Sequence, residues 1–186
     1  MNFFRKLFRS ARKRVMRLRW PSETAKVRKR LAPFCRGYGV DLGFGGDPIL
    51  DSSIRVDLPI PYTKVGPNKS VQLGGDSSNL KWFKNDSLDY VYSSHLLEDF
   101  LDTRTVLKEW LRVLTPGGHL VLFCPDEQLF RAHCARTGQG YNPHHVHEDF
   151  SLAKVKGILA ELGGTDIVHE RDRVHAYSWE LVCRKK

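Results

Sequence analysis

The chain of 186 residues has no run of about 18 uncharged apolar residues, the length a bilayer-spanning helix needs. It has no C-x-x-C pair. Cys35, Cys124, Cys134 and Cys183 are scattered, a pattern that fits free thiols in a reducing compartment rather than a disulfide scaffold. Near the amino terminus arginines interrupt every apolar stretch, which excludes the h-region of a secretory signal. The first 30 residues also nearly lack acid. They hold 12 of the 30 Lys and Arg and one acidic residue, Glu23, whereas the other 156 residues carry 20 acids against 18 bases. The net charge of +9 is therefore a property of one segment and says little about any pocket elsewhere. A cytoplasmic location is expected.

What the basic segment does have is a helical period. Phe4, Phe8, Ala11, Val15 and Leu18 share one face, and Arg5, Arg9, Arg12, Lys13 and Arg19 populate the others. Bulky apolar residues backed by arginines suit an anionic membrane surface, where each basic residue adds about 1 kcal/mol. Peripheral attachment at the inner face of a membrane through residues 1–20 is one reading. A solvated or core-packing helix, an Arg-rich organellar presequence and nucleic-acid contact stay open beside it, with nucleic acid the least expected partner. Pro21 ends this helix, and Ser22 starts a short second one that runs up to Pro33. The division drawn from the sequence is a basic arm over residues 1–36 and one domain over 37–186.

The domain is organised around Tyr38-Gly39-Val40-Asp41-Leu42-Gly43-Phe44-Gly45-Gly46-Asp47-Pro48, a short buried strand entering a glycine turn. In open α/β sheets such a turn is where a nucleotide-like ligand sits. A dinucleotide fingerprint needs a third glycine, and Pro48 falls where it would be. Asp41 and Asp47 flank the turn, and carboxylates suit a cationic sulfonium better than a pyrophosphate. The segment Val40 to Pro48 resembles motif I of the class I S-adenosyl-L-methionine (SAM) methyltransferases.

Two further stretches carry the same resemblance. Asn85 to Phe100, containing Ser87-Leu-Asp-Tyr-Val-Tyr-Ser-Ser94 and Leu97-Glu-Asp99, is similar to the family's turn, fourth strand and Leu-Glu-His signature, with Asp99 in place of the histidine. Leu114-Thr-Pro-Gly-Gly118 feeding an apolar strand to Pro125 is similar to its third element. The resemblance implies a Rossmann-like α/β fold: a seven-stranded, mostly parallel sheet with helices on both faces. It implies SAM as cofactor, bound by Asp41, Gly43, Phe44, Gly45, Gly46, Asp57, Leu58, Asp76, Ser77, Ser93 and Ser94. Asp57, closing the strand Ile54–Leu58, is expected on the ribose hydroxyls and Asp76 on the adenine amino group; Asp76 also reads as the cap of a loop over Asn79–Phe83. Only seven residues separate Gly46 from Ile54, too few for a normal crossover helix, so one or two helical turns or an irregular loop are expected there. That layout resembles a methyltransferase subgroup found with bacterial surface-polysaccharide assembly.

After the strand ending at Pro125, the chain offers Gly138-Gln-Gly-Tyr-Asn-Pro-His144-His145-Val146-His147-Glu148-Asp149-Phe150. His144, His145 and His147, together with His95, are the candidate catalytic residues, because a neutral imidazole takes a hydroxyl proton near pH 7. A polar loop that caps the next helix is the competing account. A metal set of the three histidines with Cys134 or Glu148 lacks a fourth ligand at convincing spacing, and no metal is expected. A helix from Ser151 to Gly163 and a final hairpin turning near Arg173 complete the reading. The expected function is SAM-dependent methyl transfer to a hydroxyl of a sugar or lipid-linked acceptor near a membrane. The alternative is a non-catalytic SAM-binding or scaffold protein with a degenerate fold, which Asp99 and the short first connection favour.

Overall fold

The computed structural model describes residues 21–62, 64 and 67–186, so the amphipathic helix expected over residues 1–20 lies outside the described residues. Seven strands form one sheet in the order β3-β2-β1-β4-β5-β7-β6. They are β1 (Gly39–Leu42), β2 (Ile54–Asp57), β3 (Leu73–Gly74), β4 (Leu88–Ser94), β5 (Leu114–Pro125), β6 (Thr165–Val174) and β7 (Ser178–Lys185). The first five pair in parallel, and β7 runs antiparallel to both β5 and β6. The strand order reverses between β1 and β4, the switch point where such sheets open a crevice at their carboxyl ends.

Alternation along the central strands builds two cores. Val40, Leu42, Val91, Leu120 and Leu122 point to one face, where helices α2 (Thr103–Val113) and α4 (Leu152–Leu162) bring Val106, Leu107, Trp110, Val155 and Leu159. Tyr90, Tyr92, Val121, Phe123 and Val182 point to the other, and α1 (Glu23–Leu31) covers them with Val27 and Leu31. Burial of each such side chain contributes roughly 1.5–3 kcal/mol. Helix α3 (Glu127–Thr137) follows β5, and Asp126 caps it by accepting the Leu129 amide.

Helix α1 is the main difference from the sequence-based division at residue 36. Ser22 caps it by accepting the Ala25 amide at 3.0 Å, and the Arg28 guanidinium reaches Asp47 at 2.6 Å. Arg30 grips the buried carboxylate of Glu180 through two nitrogens, at 2.9 and 2.6 Å. Residues 22–36 are thus built into the domain's core. They cover the face beside the β1–β2 connection, where residues 43–53 form turns and bends without a helix.

Three local details shape the edges of this framework. The third strand is only two residues long, because the Gln72 side chain takes the Arg55 amide and two glycines follow Leu73. Leu101 is 80% exposed, because α2 begins only at Thr103 with Asp102 as its cap. Thr115 to Gly118 loop out within β5, so that Leu114 still faces Leu88 while His119 faces Tyr90.

Candidate active site

A cavity of about 650 Å³ opens at the carboxyl ends of β1, β2 and β4. One side is formed by the β1 and β2 turns. Gly43 (φ 64°) and Gly45 (φ 57°) take left-handed backbone there, and a Cβ on Gly43 would stand 2.8 Å from the Leu96 side chain. Glycine is needed for both reasons. Asp57 binds the two turns together: its carboxylate accepts the Gly45 amide at 3.1 Å and the Leu58 amide at 2.8 Å. Burial pushes the Asp57 carboxyl up and these amides pull it down, with burial the larger influence. Each carboxylate oxygen still has a second acceptor site for a ligand hydroxyl.

Of the cofactor residues read from the sequence, Gly43, Phe44, Gly45, Asp57, Leu58, Asp76, Ser77 and Ser94 border the cavity. Asp41, Gly46 and Ser93 do not. Asp41 is fully buried and accepts the Ile49 amide at 2.6 Å; burial drives its carboxyl well up, so it holds the loop rather than facing a ligand. Asp47 is spent on Arg28 and on the Ser22 hydroxyl. The expectation that these two carboxylates face a sulfonium is therefore corrected: both side chains turn away from the cavity into the protein. Asp76 accepts the Ser78 amide at 2.8 Å, so it caps its loop and borders the cavity together.

The other side of the cavity gathers residues from distant parts of the chain. Ser22, Glu23 and Thr24 come from the start of α1, His95 and Asp99 follow β4, and Asn142 and His144 come from the loop after α3. His95 borders the cavity with φ 52°, its Nε2 3.3 Å from the Ser178 hydroxyl and 3.6 Å from Glu23. Burial lowers its pKa to about 4 against the pull of Glu23, so the imidazole is neutral at pH 7. His144 lies at the rim, stacked on Tyr62 with ring centres 4.2 Å apart, and the Tyr62 hydroxyl donates to Asp99 at 2.7 Å.

His145 and His147 do not join them. His147 Nε2 donates to the Phe100 carbonyl at 2.9 Å, which fixes the loop against the chain entering α2. His145 is buried between Glu127, 2.8 Å from its Nδ1, and Glu98, 3.7 Å from its Nε2. The three histidines therefore point to three places and form no shared ligand set. Tyr62, Glu23 and Thr24 went unnoticed as site residues because nothing local marks them: Tyr62 follows a Pro-Ile-Pro segment, and the other two fall in the stretch read as an arm.

The cavity fits SAM on an observation independent of motif. The Ser94 hydroxyl is buried beside it without a hydrogen-bond partner among the described residues, and Gly43, Gly45 and Asp57 leave a backbone-lined cradle. Residues 58–122, from the end of β2 through most of β5, match the methyltransferase domain family model. No curated protein sequence matches the chain. Among solved structures, a SAM-dependent methyltransferase from Thermotoga maritima superposes with a TM-score of 0.67 at 18% identity, covering 98% of each chain. One from Archaeoglobus fulgidus gives 0.67 at 17%, covering 92% of this chain and 98% of that one. One from Aquifex aeolicus gives 0.61 at 16%, covering 93% and 97%. At such identities the likeness is one of fold. The matched segment is thus similar to a methyltransferase domain, and the chain shares the fold of these SAM-dependent methyltransferases.

Proposed function

We propose that the chain methylates a hydroxyl of a sugar or lipid-linked acceptor at the cytoplasmic face of a membrane. The observation that carries this reading is one cavity with two chemically different sides. The glycine turns, Asp57, Asp76 and Ser94 suit the cofactor, and the side with His95, Asp99 and His144 suits a polar acceptor. Around the mouth, Leu58, Tyr62 and Val146 are exposed apolar side chains, the kind of rim that an acceptor with a lipid portion would cover. The amphipathic pattern of residues 1–20 supports attachment to an anionic surface.

SAM supplies the activated methyl group, leaving as S-adenosylhomocysteine when that group is transferred. The chain's own residues orient the acceptor and receive its proton. His144 is at the open rim and His95 is neutral and deeper, and either imidazole can accept the hydroxyl proton. A non-catalytic SAM-binding protein is the second reading, favoured by Asp99 in the place of the family's histidine.

Calorimetry with S-adenosylhomocysteine, NAD and nucleotide sugars tests the cofactor first. Micromolar binding of S-adenosylhomocysteine alone is expected. Transfer of labelled methyl to glycans and lipid-linked sugars then separates enzyme from binder, since binding without transfer to any acceptor favours the second reading. Deleting residues 1–20 should abolish binding to anionic vesicles and leave cofactor affinity intact. Vesicle binding that survives the deletion ends the membrane part of the proposal.

A further inference from the structure

Glu98 is a buried carboxylate without an evident partner. It is 1% exposed, and neither of its oxygens has a hydrogen-bond partner among the described residues. Unpaired acids at such depth are rare, because burial without compensation is costly. Beside it, Asp99 Oδ1 is also buried and unpartnered, while its Oδ2 takes the Tyr62 hydroxyl. The third neighbour is His145. Its Nδ1 lies 2.8 Å from a Glu127 carboxylate oxygen, which only accepts, so Nδ1 carries the proton. That leaves the Nε2 lone pair facing Glu98 Oε1 at 3.7 Å. One ligand atom from each of Glu98, Asp99 and His145 lies within 4.8 Å of the others. Three acceptors thus converge with no side-chain donor from a neighbour between them, an arrangement that a cation in their midst would complete.

We propose that Glu98, Asp99 and His145 bind one divalent transition-metal ion on the acceptor side of the cavity. One imidazole and two carboxylates suit Mn²⁺, Fe²⁺, Co²⁺ or Zn²⁺, whereas Ca²⁺ and Mg²⁺ favour oxygen alone. A tetrahedral ion with bonds of about 2.1 Å sets its ligand atoms about 3.4 Å apart, close to the 3.7 Å between His145 Nε2 and Glu98 Oε1. Support from outside the three is already in place. Glu127 orients the His145 ring and is itself held by Arg131 at 2.7 Å and by the Tyr141 hydroxyl, the carboxylate–histidine arrangement that backs metal ligands. Of the three, only Asp99 borders the cavity, so the ion would lie just inside the cavity wall on the acceptor side. A coordination position open toward the cavity would let the ion bind the acceptor hydroxyl and make its proton easier to remove. This use of the ion rests on the methyl-transfer reading; its binding does not.

The competing arrangement replaces the ion with a proton on the Glu98 carboxyl, which burial pushes well up. At 3.7 Å that proton makes no hydrogen bond to His145 Nε2. His95, whose Nδ1 is 3.9 Å from the same Glu98 oxygen, also faces the cluster, as do Tyr62 and His144 on the Asp99 side.

The test uses the full chain, freed of metal with a chelator and titrated with Mn²⁺ and with Zn²⁺. The expected result is one ion per chain, with Mn²⁺ showing the ¹⁴N coupling of a bound imidazole in pulsed electron paramagnetic resonance. Glu98→Gln and His145→Gln should each weaken binding at least tenfold. A folded wild-type protein that takes up neither ion, or bound Mn²⁺ without nitrogen coupling, overturns the site, and neither result depends on how the variants fold. So does binding that both variants leave unchanged. S-adenosylhomocysteine affinity is measured on the same samples. Metal binding without it upholds the ion site and sinks the cofactor reading, and the reverse result sinks the ion site alone.

Discussion

The carboxylate of Asp57 accepts the backbone amide of Gly45 at 3.1 Å, across 12 residues of sequence. This one bond ties the end of β2 to the glycine turn after β1, so the acid expected to receive a ribose also shapes the cradle around it. Asp57→Asn should therefore be nearly as harmful as Asp57→Ala. The amide nitrogen would be set against the N–H of Gly45 or of Leu58, two donors facing each other. Both variants should weaken S-adenosylhomocysteine binding by about 1–3 kcal/mol in calorimetry. Unchanged affinity in either would remove Asp57 from the cofactor site.

Gly43 and Gly138 both sit at positive φ, 64° and 72°, but only Gly43 has a neighbour where a Cβ would go. Gly138→Ala should lower stability by about 1–2 kcal/mol, the left-handed backbone penalty alone, with cofactor affinity untouched. Gly43→Ala carries that penalty and also displaces Leu96, which borders the cavity. It should lose stability in urea unfolding and weaken S-adenosylhomocysteine binding severalfold. Equal effects of the two substitutions on binding would contradict the steric account.

Arg30 holds Glu180 on β7, whose other oxygen lies 3.0 Å from His169 Nε2. Removing one partner of a buried pair strands the other. Because the Arg30 side chain is partly exposed, Arg30→Ala should cost about 2–4 kcal/mol in urea unfolding, at the lower end of buried-pair losses. A loss below about 0.5 kcal/mol would mean that α1 is held by its apolar face alone.

His95 gives the protein an acid-sensitive element. Burial lowers its folded pKa to about 4 from an ordinary value of 6.5, so the unfolded chain binds this proton first as pH falls. The stability it confers is complete above pH 6.5 and is lost down to about pH 4, by at most about 3 kcal/mol. His95→Asn suits the positive φ and does not titrate. The stability difference between wild type and variant should shrink as pH drops from 7 to 4.5. A difference that stays flat with pH would show that His95 is solvated.

Much of the glycine-turn side of the cavity was legible because its signals are local. Gly43, Gly45, Asp57, Asp76 and Ser94 are set by turns and strand ends, and a strand end is marked by the residues that make it. The acceptor side was not. His144, His145 and His147 look alike in sequence, yet one stacks on Tyr62, one lies between Glu98 and Glu127, and one is tied to the Phe100 carbonyl. The direction of a loop side chain depends on what lies across the gap, which periodicity does not record. Asp41 misled for a related reason. A strand residue beside a glycine turn faces either the crevice or the core, and one position decides which.

The sequence by itself marked the central strands and the glycine turn, since apolar alternation, short turns and capping residues act between near neighbours, while the seven-stranded sheet was what the family resemblance implied. Only the tertiary structure decided that residues 22–36 close the second face of the sheet, that Asp41 and Asp47 turn inward, and that Glu98, Asp99 and His145 converge. Each of those depends on long-range pairing, such as Arg28 with Asp47 across 19 residues and Arg30 with Glu180 across 150. Such partners meet only when burial of both apolar faces brings the segments together.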